Sequence, residues 1–176
     1  MTPTAELLLL PSRRLLLGGL IAGAGAALAG GCSSGPPAAK TTSLEFAIEA
    51  DQEINVNENG DPSPIVIRVY ELKTKNAFEQ ASFFELLDND TAKLGGDLVA
   101  KREFEVKPGE KSSFTRESPA EAKHVGVIAG FRQIETAQWR SIVDIVEDRD
   151  NSFLITIRAL TMKIELQRAS RRLGLF

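Results

Sequence analysis

The stretch that decides the fold is Ile65-Val66-Ile67-Arg68-Val69-Tyr70-Glu71-Leu72. Side chains branched at Cβ dominate it, and such side chains pack well on the pleated surface of a sheet. Successive side chains of a strand point to opposite faces, so Ile65, Ile67 and Val69 share one apolar face. Val66 and Tyr70 give the other face apolar character as well. Because both faces are apolar, we predict a central strand of a sheet.

The residues before this stretch divide into a strand and a long loop. Residues 44–50 alternate apolar and polar side chains, which is the pattern of a half-buried strand. Residues 51–64 contain three Asn together with Gly60, Pro62 and Pro64, a composition that resists regular structure. Such a loop cannot contribute much to a core, so its length favours a functional role on a rigid scaffold.

The residues after the central strand change period. Apolar side chains recur every three to four residues over residues 76–89, which is the helical spacing. Ser82 with Glu85 three residues later has the form of a capping box, so we expect the firm part of the helix to begin at Ser82. The apolar stripe is expected to pack on the sheet, with either Phe83 or Phe84 facing inward. Residues 88–90 are expected to form a solvated loop.

The remaining chain is predicted to be strands separated by turns. Pro108-Gly109 is a strong turn signal between strands expected at residues 97–107 and 111–116. Further strands are expected at residues 124–131, 141–146 and 151–166. Seven or eight short strands with one short helical insertion, and no helical crossovers between strands, predict a mainly β fold. We expect a two-sheet antiparallel β-sandwich.

The only cysteine, Cys32, lies where an apolar N-terminal segment gives way to a polar one. Arg13 and Arg14 precede an uncharged run that ends in small residues at Gly31, and these are the parts of a secretory signal peptide. No second cysteine exists to pair with this thiol. The junction resembles a bacterial lipobox, so we predict lipidation of Cys32. An ordinary secretory signal with an incidental cysteine is the alternative, and export by the general secretory or the twin-arginine route stays open.

These observations divide the chain into four parts. Residues 1–31 are the predicted lipoprotein signal peptide, and residues 32–42 are the lipidated anchor with a flexible linker rich in Ser, Gly, Pro and Ala. Residues 43–169 are the predicted β-sandwich domain, and residues 170–176 are a C-terminal tail. The net charge of −3 argues against a nucleic-acid partner.

Residue types that carry catalysis are scarce. His124 is the only histidine, the only cysteine is the predicted anchor, and neither zinc-ligand spacing nor a phosphate-binding glycine loop occurs. We therefore predict no catalytic residues, no metal site, no cofactor and no enzymatic activity. A lipoprotein that binds peptidoglycan or another glycan is the alternative function, and it calls for exposed aromatic side chains. The chain has one Trp and one Tyr.

Several sequence blocks together resemble one family. They are residues 60–72, Phe78 with residues 81–84, residues 94–98, residues 107–110, and residues 125–132 followed by Trp139-Arg140. In this order and after a lipobox, they resemble the TssJ (SciN/VasD) family, the outer-membrane lipoproteins of type VI secretion systems. The resemblance implies a transthyretin-like sandwich with an added helical element. It also implies a structural role, anchored in the outer membrane and facing the periplasm.

The same resemblance implies the partner and its binding site. Members of this family bind the periplasmic C-terminal part of TssM, and through TssM they are linked to TssL. The docking element is the loop between the first two strands, which corresponds here to residues 51–64. The implied TssM-binding residues lie at its tip and are Asn57, Glu58, Asn59, Gly60 and Asp61. The alternative is that the loop is a solvated connector and that a sheet face binds TssM. Arg132 and Trp139-Arg140 are expected to hold the end of the sandwich together by packing and hydrogen bonding, and contact with a partner is the alternative.

Overall fold

The computed structural model describes residues 41–171, and side chains through residue 170. The predicted signal peptide and Cys32 lie outside the described residues, as do residues 172–176. The strands are β1 (Thr41–Ala50), β2 (Ile65–Leu72), β3 (Leu98–Val106), β4 (Lys111–Pro119), β5 (His124–Ala129), β6 (Arg140–Asp144), β7 (Arg149–Arg158) and β8 (Thr161–Arg171). Helices α1 (Asn76–Gln80) and α2 (Phe83–Leu94) and a 3₁₀ turn (Gly95–Asp97) lie between β2 and β3. β1 begins two residues earlier than the predicted domain, and β8 extends two residues into the predicted tail.

The strands form two four-stranded sheets, with the orders β4-β1-β7-β8 and β3-β2-β5-β6. The predicted mainly β fold is confirmed, and β2 is a central strand as expected. The antiparallel prediction is wrong for one pair, because β1 and β7 are parallel. Each strand reverses the direction of the one before it, so all odd-numbered strands run the same way. Two odd-numbered strands that become neighbours must therefore pair in parallel.

The main core lies between the two sheets. Leu44, Phe46 and Ile48 of β1 face Ile65 and Ile67 of β2, and each of these side chains is at most 1% exposed. Burying a side chain of this size contributes about 1.5–3 kcal/mol to stability. The alternation of apolar and polar side chains along β1 therefore fixes which of its faces points inward, and Ile65, Ile67 and Val69 form the inward face of β2, as the sequence predicts.

A second core lies between the outer face of the β2 sheet and the two helices. Tyr70 and Leu72 of β2 pack there against Phe78 of α1, and all three are fully buried. Gly126 of β5 lies beneath the Phe78 ring, where a Cβ atom would come within 2.7 Å of the ring. The absence of a side chain at residue 126 therefore allows α1 to lie close to the sheet.

Helix α2 begins where its sequence predicts. The Ser82 hydroxyl accepts a hydrogen bond from the Glu85 amide at 3.3 Å, and the Glu85 carboxylate accepts one from the Ser82 amide at 2.8 Å. This complete capping box satisfies two amides of the first turn. It also fixes the rotation of the helix, so that Phe83 faces the core and Phe84 faces solvent.

Strand direction gives the sandwich two distinct ends. β1 runs from Thr41 at one end to Ala50 at the other, where residues 51–64 follow. We call these the Thr41 end and the loop end. The loop end also holds the β3–β4 turn, since the Gly109 amide donates to the Asp51 carbonyl at 3.0 Å, and the β7–β8 turn, since the Asn55 amide donates to Ala159 at 3.3 Å.

Candidate functional site

The loop between β1 and β2 is fixed at its base by two buried residues. Ile54 is fully buried in the main core, and Asn55 is 4% exposed with a φ of +48°. The Asn55 side chain donates to the Pro64 carbonyl and accepts from the Arg132 amide, each at 2.8 Å. These bonds tie the start of the loop to its end and to the β5–β6 connection. The expectation that the loop adds little to the core therefore misses Ile54, the one large apolar residue near its start.

The tip of the loop is a turn closed by its own hydrogen bonds. The Asn57 side-chain oxygen accepts from the amides of Asn59 and Asp61, both at 2.9 Å. The Asn57 amide donates to the Asp61 carbonyl at 2.9 Å, and Gly60 supplies a φ of +86° that favours glycine. Glu58 and its neighbours up to Asp61 are exposed. The structure thus brings the five predicted tip residues together in one preformed, solvent-facing turn.

An open groove lies beside this tip. Val56, Asn57, Glu58 and Asn59 form one wall, and Arg132 and Gln133 of the β5–β6 connection contribute the other. Its volume is about 650 Å³. A groove of this size beside a preformed turn can accept several side chains of another molecule. The sequence alone does not reveal Gln133, because the contact depends on how two distant connections meet at the loop end.

Trp139 and Arg140 hold the helical segment onto the sandwich, as expected. Arg140 Nη1 donates to the carbonyls of Phe78 and Ala81, at 2.9 and 2.7 Å, and so satisfies the end of α1. The Trp139 ring packs edge-on against Phe83 with centroids 5.3 Å apart. Tyr70 is fully buried and Trp139 is half-buried, so these two rings do not form the exposed platform that a glycan site calls for.

A cluster of charged side chains, formed by Arg68, Lys101 and Asp90, joins α2 to strands β2 and β3. Arg68 Nη1 lies 2.8 Å from Asp90 Oδ2 and also donates to the carbonyl of Leu86, while Lys101 Nζ lies 2.7 Å from Asp90 Oδ1. These bonds meet where the helix is kinked at Asn89. Residues 88–90 therefore belong to a helix, and the expectation of a solvated loop is wrong. The loop expectation fails because Asp90 is only 5% exposed and its carboxylate pairs with one cation from each of two strands, which hold this part of the chain against the sheet.

The surrounding cluster lowers the pKa of the Asp90 carboxyl. Burial acts to raise the pKa of Asp90, but hydrogen bonds from Lys101 and Thr91 and the positive charges of Lys101 and Arg68 outweigh it. The pKa of Asp90 consequently lies below its ordinary value of 3.8. An ionised carboxylate paired in this way is a structural element that fixes the helix on the sheet.

Within residues 41–171, no group of three or more His, Cys, Asp or Glu side chains is placed to hold a metal ion. His124 Nδ1 lies 2.8 Å from Asp144 Oδ1 at the Thr41 end, within hydrogen-bonding distance. None of the helices in this part of the chain has the length and apolar character needed to cross a membrane.

The fold and the loop end define the class of protein as a two-sheet β-sandwich with a preformed, solvent-facing loop at one end. Residues 42–168 match the model of the family described as type VI secretion lipoprotein, with VasD, EvfM and TssJ among its members. The chain therefore belongs to this family of type VI secretion lipoproteins. No curated protein matches the chain.

Solved structures agree with this assignment. The chain is similar to the T6SS lipoprotein TssJ1 from Pseudomonas aeruginosa, with 32% identity and a TM-score of 0.70, over 74% of this chain and 99% of that one. Serratia marcescens Lip, a membrane bound component of the Type VI Secretion System, shares the fold with 21% identity and a TM-score of 0.62, over 73% and 98%. A structure described as the T6SS protein TssM C-terminal domain (869-1107) from EAEC matches with 25% identity and a TM-score of 0.60, over 70% and 97%.

Proposed function

We propose that this lipoprotein links a type VI secretion envelope complex to the outer membrane. In this proposal a lipid on Cys32 inserts into the inner leaflet of that membrane, and the sandwich lies in the periplasm. The loop end binds the periplasmic C-terminal part of TssM, and TssM in turn carries TssL. Membership of the type VI secretion lipoprotein family supports the general role.

The observation that carries the proposal is the position of the two ends. Eight residues separate Cys32 from Thr41, where β1 begins. The ten residues of β1 then lead to the loop, and at about 3.3 Å per residue they span roughly 30 Å. The covalent connection to Cys32 therefore enters the sandwich at the end opposite the loop tip. In this proposal the anchor and the TssM contact therefore use different residues of the chain.

The identity of the partner is supported by one of the structural matches. The description of that structure names residues 869–1107 of TssM, and this segment is longer than the whole present chain. The chain that matches is shorter than the present one, because 70% of the present chain covers 97% of it. We infer that the matching chain is a companion of the TssM segment in that structure. A companion with this fold supports TssM as the partner here.

The construction of the loop suits recognition. The hydrogen bonds of Asn57 close the tip before any partner arrives, and those of Asn55 hold its base. A preformed loop loses less conformational freedom on binding than a mobile one, so more of the interaction energy appears as affinity. The predicted tip residues Asn57 to Asp61 are therefore proposed as the centre of the TssM contact, and the groove lined by Arg132 and Gln133 as its border.

Two experiments test the proposal. Cys32→Ser should move the protein from the outer-membrane fraction to the soluble periplasm and abolish labelling with palmitate. Continued membrane fractionation with labelling would refute the anchor.

The second experiment titrates the mature Cys32→Ser chain with the TssM C-terminal fragment. Deleting residues 57–60 should weaken binding more than tenfold, a loss of about 1.4 kcal/mol or more, with little change in melting temperature. The control is a mature chain of full length. Unchanged affinity of the shortened, folded chain would remove the loop from the interface and point to a sheet face.

A further inference from the structure

An apolar patch is exposed on the helical side of the sandwich. Within the described residues, four large apolar side chains are strongly exposed, and three of them are Val66, Phe84 and Leu87. Phe84 is the most open of these, at 60% exposure. We call these three residues the Phe84 patch. Exposed apolar side chains that gather in one place mark interaction surfaces far more often than scattered ones do.

The three side chains are contiguous. Val66 of β2 and Leu87 of α2 line one narrow groove, whose floor includes Phe83, Ile128 and Gly130. Phe84 precedes Leu87 by three residues, so the two side chains are neighbours on the outer side of the helix. The capping box at Ser82 sets this rotation of α2. The exposure of Phe84 is therefore built into the helix and does not result from a frayed end.

The patch continues the surface of the loop end. The Gly130 amide donates to the Val66 carbonyl at 2.9 Å. Two residues further on, Arg132 lines the groove beside the loop tip, and its amide is bonded to Asn55. One continuous surface thus leads from the tip over the β5–β6 connection to Val66 and Phe84. The membrane does not fit as the occupant, because Val66 lies close to the loop end and the anchor segment joins the opposite end.

The chemistry of the patch points to an apolar occupant. The two charged residues that line its groove, Arg68 and Glu103, pair with each other at 2.7 Å. They consequently leave no uncompensated charge for a ligand to neutralise. Aliphatic or aromatic side chains could cover this surface without burying an unpaired charge, and interface centres are commonly built that way.

We propose that the TssM domain bound at the loop end also covers the Phe84 patch with apolar side chains of its own. This inference rests on the proposed function, and it extends the interface from the loop tip onto α2. The loop supplies the polar part of the contact, and Phe84 is its apolar anchor. An exposed aromatic ring loses little conformational entropy when it is covered, so it can contribute strongly to affinity.

The test compares two exposed apolar residues of the sandwich, Phe84 on the surface next to the loop end and Val146 at the Thr41 end. Phe84→Ser and Val146→Ser are made in the mature chain with Cys32→Ser, and each is titrated with the TssM C-terminal fragment. Val146 is 38% exposed in the β6–β7 connection at the Thr41 end, so it is the matched control. Phe84→Ser should weaken binding at least tenfold and Val146→Ser less than twofold. Both melting temperatures should stay within a few degrees of the parent, since neither side chain is buried.

The other outcomes separate this inference from the proposed function. Suppose that Phe84→Ser binds as tightly as the parent while deletion of residues 57–60 abolishes binding. This result would overturn the assignment of the Phe84 patch to TssM and leave the loop as the TssM site. Failure of the parent itself to bind the fragment would overturn both. Sedimentation of the parent and of Phe84→Ser tests a second copy as the occupant. A dimer that Phe84→Ser dissociates would overturn the assignment of the patch to TssM.

Discussion

Replacing Asn55 should loosen the base of the β1–β2 loop by an amount that its contacts define. Asn55→Ala removes the hydrogen bonds to the Pro64 carbonyl and from the Arg132 amide. Each contributes about 1 kcal/mol to stability at a site of this burial. Alanine must also take up the φ of +48° that asparagine tolerates, at about 1–2 kcal/mol more. The free energy of unfolding should therefore fall by about 3–4 kcal/mol.

Asn55→Gly separates the two contributions. Glycine loses the same hydrogen bonds and adds about 0.4–1 kcal/mol through the freedom of the unfolded chain, but it adopts a positive φ without strain, so the expected loss is about 2.5–3 kcal/mol. The order of the two stability losses is informative, because glycine is ordinarily more destabilising than alanine through the freedom that it gives the unfolded chain. Here alanine should be worse than glycine. The order follows only if Asn55 keeps its left-handed conformation in solution.

Urea unfolding of the mature Cys32→Ser chain measures these differences, with equal slopes required before midpoints are compared. A loss below 1 kcal/mol for both variants would show that the loop base does not depend on Asn55. Alanine equal to or better than glycine would refute the backbone argument alone. Both variants should also bind the TssM fragment more weakly than the parent, because a loosened base must be ordered again on binding.

Three further predictions concern the scaffold. Gly126→Ala should cost about 1–3 kcal/mol, because its Cβ would strike the buried Phe78 ring, and a second change of Phe78→Leu should recover part of that loss in urea unfolding. The lowered pKa of Asp90 adds stability that is present above pH 3.8 and is lost as the pH falls through the folded-state pKa. Asp90→Asn should cost about 3 kcal/mol at pH 7, because it leaves Arg68 and Lys101 without their carboxylate, and the cost should shrink as the pH falls below 3.8; a cost that does not change with pH would contradict the ion-pair interpretation. The mature chain should give a β-dominated circular dichroism spectrum that chelators and reducing agents leave unchanged, and a helical spectrum or loss of structure with chelator would count against the fold.

Local sequence patterns predict those elements of the fold that depend on residues close together in the chain. Alternation of apolar and polar side chains identifies β1, a run of Cβ-branched residues identifies β2, and Ser82 with Glu85 identifies the start of α2. Spacing alone leaves Phe83 and Phe84 equally suited to face the sheet, since both recur at helical intervals. The rotation of the helix decides between them, and that rotation depends on the cap and on the packing of Phe83 against Trp139.

Features that need distant residues are the ones that local patterns miss. Asp90 is buried because Arg68 and Lys101, 22 and 11 residues away, bring cations from two strands. The parallel pair of β1 and β7 depends on which strands become neighbours, and no local signal carries that information. The tip of the candidate site follows from a family resemblance and its Asn and Gly content. The base at Asn55 needs the β5–β6 connection to be placed first.

Strand β1 also determines how the proposed tether would carry tension. A lipid on Cys32 and TssM at the loop tip would pull on opposite ends of this one strand. A β-strand rises about 3.3 Å per residue, and a fully stretched chain reaches at most about 3.6 Å. Ten residues could thus release only about 3 Å if the sandwich unfolded. Force multiplied by so short an extension adds little to the drive for unfolding. An anchor joined to the loop through an already extended strand can therefore transmit tension while the rest of the sandwich stays folded.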